Sequence, residues 1–209
     1  MLNITGQKIY LGLYFDSNLF AKQIFQFNEN LLNYGINRKL FIPINRLHIS
    51  LIQIELEFSI LKNSTFKKIK KILKQCVSKY NCVQVIPDKI IYGEESKSIK
   101  VMLDSKSQKF IRSLRDEIIL KVKSTTDIYF NDSRSFVPHV SILSSLNENS
   151  LNDSQINMIK NEVNYFNSNF ILHKIDIRKI SMLLPLCPKR RNEIERKIYD
   201  KTTELSVDL

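Results

Sequence analysis

Two short strings in this chain place an imidazole and a hydroxyl on the same side of an extended backbone. They are Leu47-His48-Ile49-Ser50-Leu51 and Pro138-His139-Val140-Ser141-Ile142, with their histidines 91 residues apart. Side chains at i and i+2 of a β-strand share a face. Each string therefore presents its histidine beside its serine, while the apolar neighbours turn the other way. One His-x-Ser alone reads as a half-exposed strand. Two copies, each flanked by apolar β-formers and together using two of the three histidines, point to function. The third, His173, has Ile175 at i+2 and reads as a surface or structural histidine.

Brought side by side, the four groups suit a phosphodiester. One imidazole can take a proton from an attacking hydroxyl while the other protonates the departing oxygen. An ordinary imidazole pKa of about 6.5 lets both protonation states exist near neutrality. Ser50 and Ser141 can donate to the non-bridging oxygens, where negative charge grows in the transition state. RNA carries its own nucleophile, the ribose hydroxyl next to phosphorus. Acid, base and oxyanion donors are then complete, so the sequence is read as needing no metal and no cofactor.

The elements that must position these groups are legible from periodicity. Ile9–Phe15 is a nearly continuous apolar run and predicts a buried strand. Leu19, Phe20, Ile24, Phe27, Leu31 and Leu32 fall at helical spacing, and Gly35 closes that helix. From Leu47 to Phe58 the pattern alternates, but its parity changes: Leu47, Ile49 and Leu51 are followed by Ile52, Ile54, Leu56 and Phe58. Ser64–Tyr80 predicts a basic amphipathic helix, with its lysines solvated. Strands over Cys82–Tyr92 and Ser98–Leu103 flank a turn at Gly93-Glu94-Glu95. Ser107–Lys123 predicts a helix, Phe136–Leu143 a strand, and Asn152–Phe166 a helix capped by Asn152 or Asp153. Phe170–Leu184 reads as one bent strand or two; Ile194–Val207 shows no decisive pattern, and a final strand around Ile198 is one option for it. The order implies a single α/β (α+β) domain over residues 1–209: bilobal, with duplicated βαβ-type halves whose two mainly antiparallel sheets flank a central cleft.

The composition narrows the partners. Lys+Arg number 32 against 21 Asp+Glu, a formal charge of +11, so a polyanion is the expected partner. Arg38-Lys39 and Arg46 before the first motif, and Lys189-Arg190-Arg191 near the C-terminus, are candidate contacts to an RNA backbone. Three cysteines without a CxxC pair fit neither a zinc site nor a disulfide framework. The N-terminal apolar run is too short for a signal peptide, and no stretch reaches the length of a membrane helix. The chain is read as a soluble intracellular monomer, nuclear or cytosolic.

At the two motifs the sequence resembles the 2H phosphoesterase superfamily, which is defined by paired His-x-Ser/Thr motifs on a duplicated α/β fold. Within it the resemblance is to the U6 snRNA phosphodiesterase family, exoribonucleases that trim oligouridine tails. It runs from about Lys8 to Ile142 and includes Ile9–Phe15, the first motif and Ile91-Tyr92-Gly93-Glu94-Glu95-Ser96-Lys97-Ser98. It also includes Ile128-Tyr129-Phe130-Asn131-Asp132, ahead of the second motif. The resemblance implies 3′→5′ removal of terminal nucleotides, with His48 and His139 as the acid–base pair and Ser50 and Ser141 holding the phosphate. It also implies an aromatic residue that stacks on the terminal base, for which Tyr129 is the candidate and Phe130 or Phe136 the alternatives. Pro138 before the second histidine is similar instead to bacterial RNA-ligase-type and viral 2′-5′ oligoadenylate-cleaving members. A 2′-5′ oligoadenylate or cyclic-nucleotide phosphodiesterase is therefore a second reading. A noncatalytic RNA-binding module is a third, and the two intact motifs argue against it.

Overall fold

A computed structural model describes residues 7–15, 18–56, 63–80, 83–126, 136–144, 151–183 and 207–208. Two β-α-β units organise it. The first is β1 (Gln7–Phe15), α1 (Asn18–Asn33) and β2 (His48–Leu56). Its counterpart follows α2 (Asn63–Val77), β3 (Val83–Val85) and β4 (Pro87–Gly93), and consists of β5 (Ser98–Leu103), α3 (Ser105–Thr125) and β6 (His139–Ser144). In both units the helix returns the chain so that the second strand lies antiparallel beside the first. The chain ends with α4 (Asp153–Asn169), β7 (Ile175–Leu183) and β8 (Val207–Asp208).

The helices form where apolar residues recur every three to four positions. Phe20, Ile24, Phe27 and Leu31 of α1 are all fully buried. Gly35 ends that helix at φ +77°, a left-handed conformation that costs glycine little. The Ile36 N–H then turns back to the Leu31 carbonyl at 3.2 Å. Asp104 caps α3 by accepting the Ser107 N–H at 2.7 Å. Asn152 caps α4 in a reciprocal pair with Gln155, which decides between the two cap candidates. Along α2, Ile69, Ile72, Leu73, Cys76 and Val77 are buried, while Lys67, Lys68, Lys71 and Lys74 are exposed.

The sheet runs in the order β3-β7-β1-β2-β6-β5-β4, with β8 paired to β7. The two antiparallel sheets expected from the sequence meet at one seam, where β2 and β6 pair at Ile49↔Val140. Among the described residues, every other neighbouring pair of strands has a longer ladder than the seam. One contiguous apolar cluster extends across it, from Leu11 and Leu13 through Ile49 and Val140 to Val101 and Ile90.

Beyond shifts of a few residues at element ends, two segments differ from the sequence reading. The segment expected as one strand over Cys82–Tyr92 is two, broken at Ile86. β3 pairs with β7 and β4 with β5, so the chain changes lobe at this point. The Ile86 N–H goes to Ser107 Oγ at 2.9 Å and its carbonyl accepts the Asp104 N–H at 2.9 Å. These partners satisfy the backbone outside the ladder, which apolar periodicity cannot register. Phe170–Lys174 lies outside β7, and Phe170 stacks on Phe166 of α4 with ring centroids 4.6 Å apart. The segment around Ile198 lies outside the described residues; β8 pairs with β7 at Ile180↔Val207. No helix among the described residues is long and apolar enough to cross a membrane.

Candidate active site

The same local irregularity follows both motifs. In β2, Ser50 pairs with Gly12 and Ile52 with Leu11, leaving Leu51 as an extra residue. In β6, Ser141 pairs with Lys100 and Leu143 with Ile99, leaving Ile142 as the extra one. Each is a β-bulge, which reverses the inside–outside alternation beyond it. Leu51, Ile52, Ile142 and Leu143 are consequently all buried. The parity change seen in the sequence after Leu51 is this bulge. Before it, each histidine and serine can face away from the core that the residues beyond it help to form.

The seam brings the two motifs together. Ile49 and Val140, paired across it and fully buried, point into the apolar cluster. The residues flanking them must point the other way, so His48, Ser50, His139 and Ser141 share one face on two adjacent strands. The antiparallel direction sets each histidine of one strand toward the serine of the other.

The histidines are held alike. His48 Nδ1 lies 2.8 Å from the Arg46 carbonyl, and His139 Nδ1 lies 2.8 Å from the Val137 carbonyl. A carbonyl can only accept, so each Nδ1 carries a proton and donates it. In the neutral ring the lone pair is left on Nε2, the nitrogen available to a substrate. Both rings are half-buried. Burial pushes the His48 pKa below its ordinary value, against the opposing effect of its bond to Arg46. For His139 burial again lowers the pKa and the Val137 bond opposes it, with the Lys100 ammonium and His48 lowering it further.

Tyr14 of β1 pairs with His48, and their rings lie 5.9 Å apart at 41°. On the other side, β5 places Lys100 opposite Ser141 and Met102 opposite His139. Arg115 of α3 reaches the seam from the core side. Its Nε donates to the Leu51 carbonyl at 3.1 Å, and its guanidinium lies 4.7 Å from the centre of the Phe136 ring. Arg115 thus joins the bulge of the first motif strand to the lead-in of the second. The Ile142 carbonyl is met from the opposite half, by the Ile42 N–H at 2.8 Å, and Phe41 bridges to Leu143. Each bulge carbonyl therefore bonds to the other β-α-β unit or its connecting loop.

The remaining sequence candidates are distributed differently. Arg46 is exposed, and its carbonyl orients His48. Lys39 is exposed in a 3₁₀ turn at Arg38–Leu40, where its N–H donates to the Asn37 side chain at 3.0 Å. Phe136 packs under Arg115. Tyr129, Phe130 and Lys189-Arg190-Arg191 lie outside the described residues, as do Cys82 and Cys187. His173 is exposed, its backbone N–H donating to Gln23 at 2.8 Å. Among the described residues, no three of His, Cys, Asp or Glu cluster as metal ligands. A depression of about 620 Å³ on α3, lined by Gln108, Lys109, Arg112 and Asp116, includes none of the motif residues.

Sequence reasoning did not single out Tyr14, Lys100 or Arg115. A signal existed for two of them. Lys100 is the lone cation in a strand whose alternate residues, Ile99, Val101 and Leu103, are apolar. Arg115 occupies a position on the inward arc of α3 between Ile111, Leu114 and Ile118.

Two β-α-β halves are joined at a seam, with one His-x-Ser strand on each side, and solved structures share this fold. Among solved structures, E. coli LigT complexed with 3′-AMP matches with a TM-score of 0.56 at 9% identity, over 98% of this chain and 95% of that chain. The apo form of E. coli LigT matches with a TM-score of 0.55 over the same shares. Kluyveromyces marxianus Usb1 with uridine monophosphate matches with a TM-score of 0.50 at 11% identity, over 85% of this chain and 94% of that chain. At such identities the likeness is one of fold. No family model matches the sequence, and no curated protein does.

Proposed function

We propose that this protein is a 2H-type phosphodiesterase acting on RNA ends, with His48 and His139 as its acid–base pair. The observation that carries the reading is the Ile49↔Val140 pair, which turns two imidazoles and two hydroxyls onto one face. With phosphate between the rings, one neutral Nε2 takes the proton of the ribose 2′-hydroxyl beside the scissile phosphate. The 2′-oxygen bonds to phosphorus as the bond to the 5′-oxygen breaks. The other ring, protonated at Nε2, gives its proton to that leaving oxygen. Ser50 and Ser141 donate to the non-bridging oxygens. The protonation states of the two rings are exchanged, and water attack on the resulting cyclic phosphate restores them. The four side chains supply every proton transfer, so the step is complete without a metal ion.

The finer reading is 3′→5′ trimming of oligouridine ends of U6-like RNA, with a nuclear location. It is supported by the sequence around Ile91–Ser98 and by the fold shared with Usb1, a structure solved with uridine monophosphate. Cleavage of 2′-5′ oligoadenylate is the second reading. Pro138 favours it, as does the fold shared with LigT solved with 3′-AMP. One assay separates them. With EDTA present, labelled RNA ending in 3′-5′ oligouridine should shorten stepwise from its 3′ end. Loss of 2′-5′ oligoadenylate alone would move the assignment to the second reading, and binding without cleavage of either would reject a phosphodiesterase.

A further inference from the structure

The motif face continues beyond the second histidine. On β5 the register sets Lys100 opposite Ser141, so its side chain leaves the sheet on the same side as Ser141 and His139. Val101, the next residue, pairs with Val140 and is fully buried on the core side. Lys100 itself is half-buried. Two other half-exposed lysines have a carboxylate: Lys121 pairs with Glu117 at 3.0 Å and Lys160 with Glu94 at 2.6 Å. No carboxylate pairs with Lys100 among the described residues. A half-buried lysine without a carboxylate partner, on the face that carries two hydroxyls and two imidazoles, suits an anion.

We propose that Lys100 contacts the substrate, its ammonium holding a non-bridging oxygen of the phosphate that lies between His48 and His139, on the Ser141 side. This rests on the phosphodiesterase reading for the identity of the anion. The two half-sites then become unequal. On the β6 side the phosphate meets a full positive charge as well as a hydroxyl, and on the β2 side the neighbour of His48 is the Tyr14 ring. Lys100 also has an electrostatic effect on the imidazole next to it. The charged groups acting on His139 are Lys100 from β5 and His48 from β2, and both favour its neutral form. Lys100 would therefore bind the phosphate and keep His139 neutral.

The test compares the full chain with Lys100→Met, Lys100→Arg and, as a control on the exposed face of α2, Lys71→Met. Imidazole NMR follows the titration of His139 and the binding of inorganic phosphate, neither of which requires turnover. Cleavage of labelled oligouridine RNA is measured at several salt concentrations. In Lys100→Met, phosphate should bind about tenfold more weakly or worse, and His139 should take up its proton at higher pH. kcat/KM should fall about tenfold to a hundredfold, as for loss of a charged hydrogen bond, and the salt dependence should lose a slope of about one. Lys100→Arg should restore most of each effect, and Lys71→Met should change none. Unchanged phosphate affinity and an unchanged His139 titration in Lys100→Met would overturn the contact. So would wild-type cleavage of RNA that Lys100→Met matches. A wild-type chain that cleaves no RNA, yet binds phosphate in a Lys100-dependent way, would sink the phosphodiesterase reading and leave this contact standing.

Discussion

The β2 motif and the β6 motif are the same device built twice and braced differently. Each has a histidine anchored by the carbonyl two residues earlier, a serine two residues later, and a bulge immediately after the serine. The bracing of the bulge distinguishes them. The Ile142 carbonyl is met by a backbone N–H, that of Ile42, whereas the Leu51 carbonyl is met by the Arg115 side chain. Where a β-α-β unit is duplicated, local geometry can be kept while the clamp differs. The first half-site depends on one replaceable side chain in a way that the second does not.

The largest expected effect tests whether the halves form one machine. His48→Ala and His139→Ala should each slow cleavage by about 10²–10⁴-fold, as for loss of a general acid or base. If the rings act on one phosphate, the double variant should be hardly slower than the worse single variant. Independent, multiplying losses would make them separate sites. The serines come next. Ser50→Ala and Ser141→Ala should each cost about 10²–10³-fold in kcat if each is an oxyanion donor, and equal losses would sharpen the symmetry.

Arg115→Met probes the asymmetry directly. It leaves the Leu51 carbonyl without its side-chain donor, which should cost about 1–3 kcal/mol of stability by denaturant unfolding. kcat should fall with little change in KM, because the variant disturbs alignment of His48 rather than a substrate contact. Intact kcat in a destabilised variant would limit Arg115 to holding the fold.

The smallest effect is linked to pH. Burial lowers the pKa of both motif histidines, so below the ordinary value of 6.5 the unfolded chain binds more protons than the folded one. Stability is then intact above that pH and is lost as pH falls below it. Unfolding midpoints should drop from about pH 7.5 to about pH 5.5, and His48→Gln and His139→Gln should each remove part of the drop. A midpoint that stays flat in the wild type would contradict the burial of these rings.

Much of this was legible in the sequence because it depends on spacing. The i, i+2 placement of His48 with Ser50 and His139 with Ser141 follows from strand geometry, and the parity change after Leu51 marked the first bulge. The second was written as Ser141-Ile142-Leu143, whose doubled apolar pair mirrors Ser50-Leu51-Ile52. What depends on tertiary register was hidden. Nothing in the string Ser98–Leu103 says that Lys100 lies across from Ser141. The break at Ile86 was masked because Val85 and Ile90 are buried in different lobes, and the β-formers on either side of Pro87-Asp88-Lys89 read as one strand. Arg115 was absorbed into a helix whose apolar stripe read as complete without it.

Under the proposed function, His48 and His139 address one phosphate. The most direct measurement is NMR of nitrogen-labelled imidazoles during titration with uridine 3′-monophosphate. Nε2 of both rings should respond along one binding curve with a common dissociation constant, while each Nδ1 keeps its proton. A response confined to one ring, or two curves with different constants, would contradict the proposal.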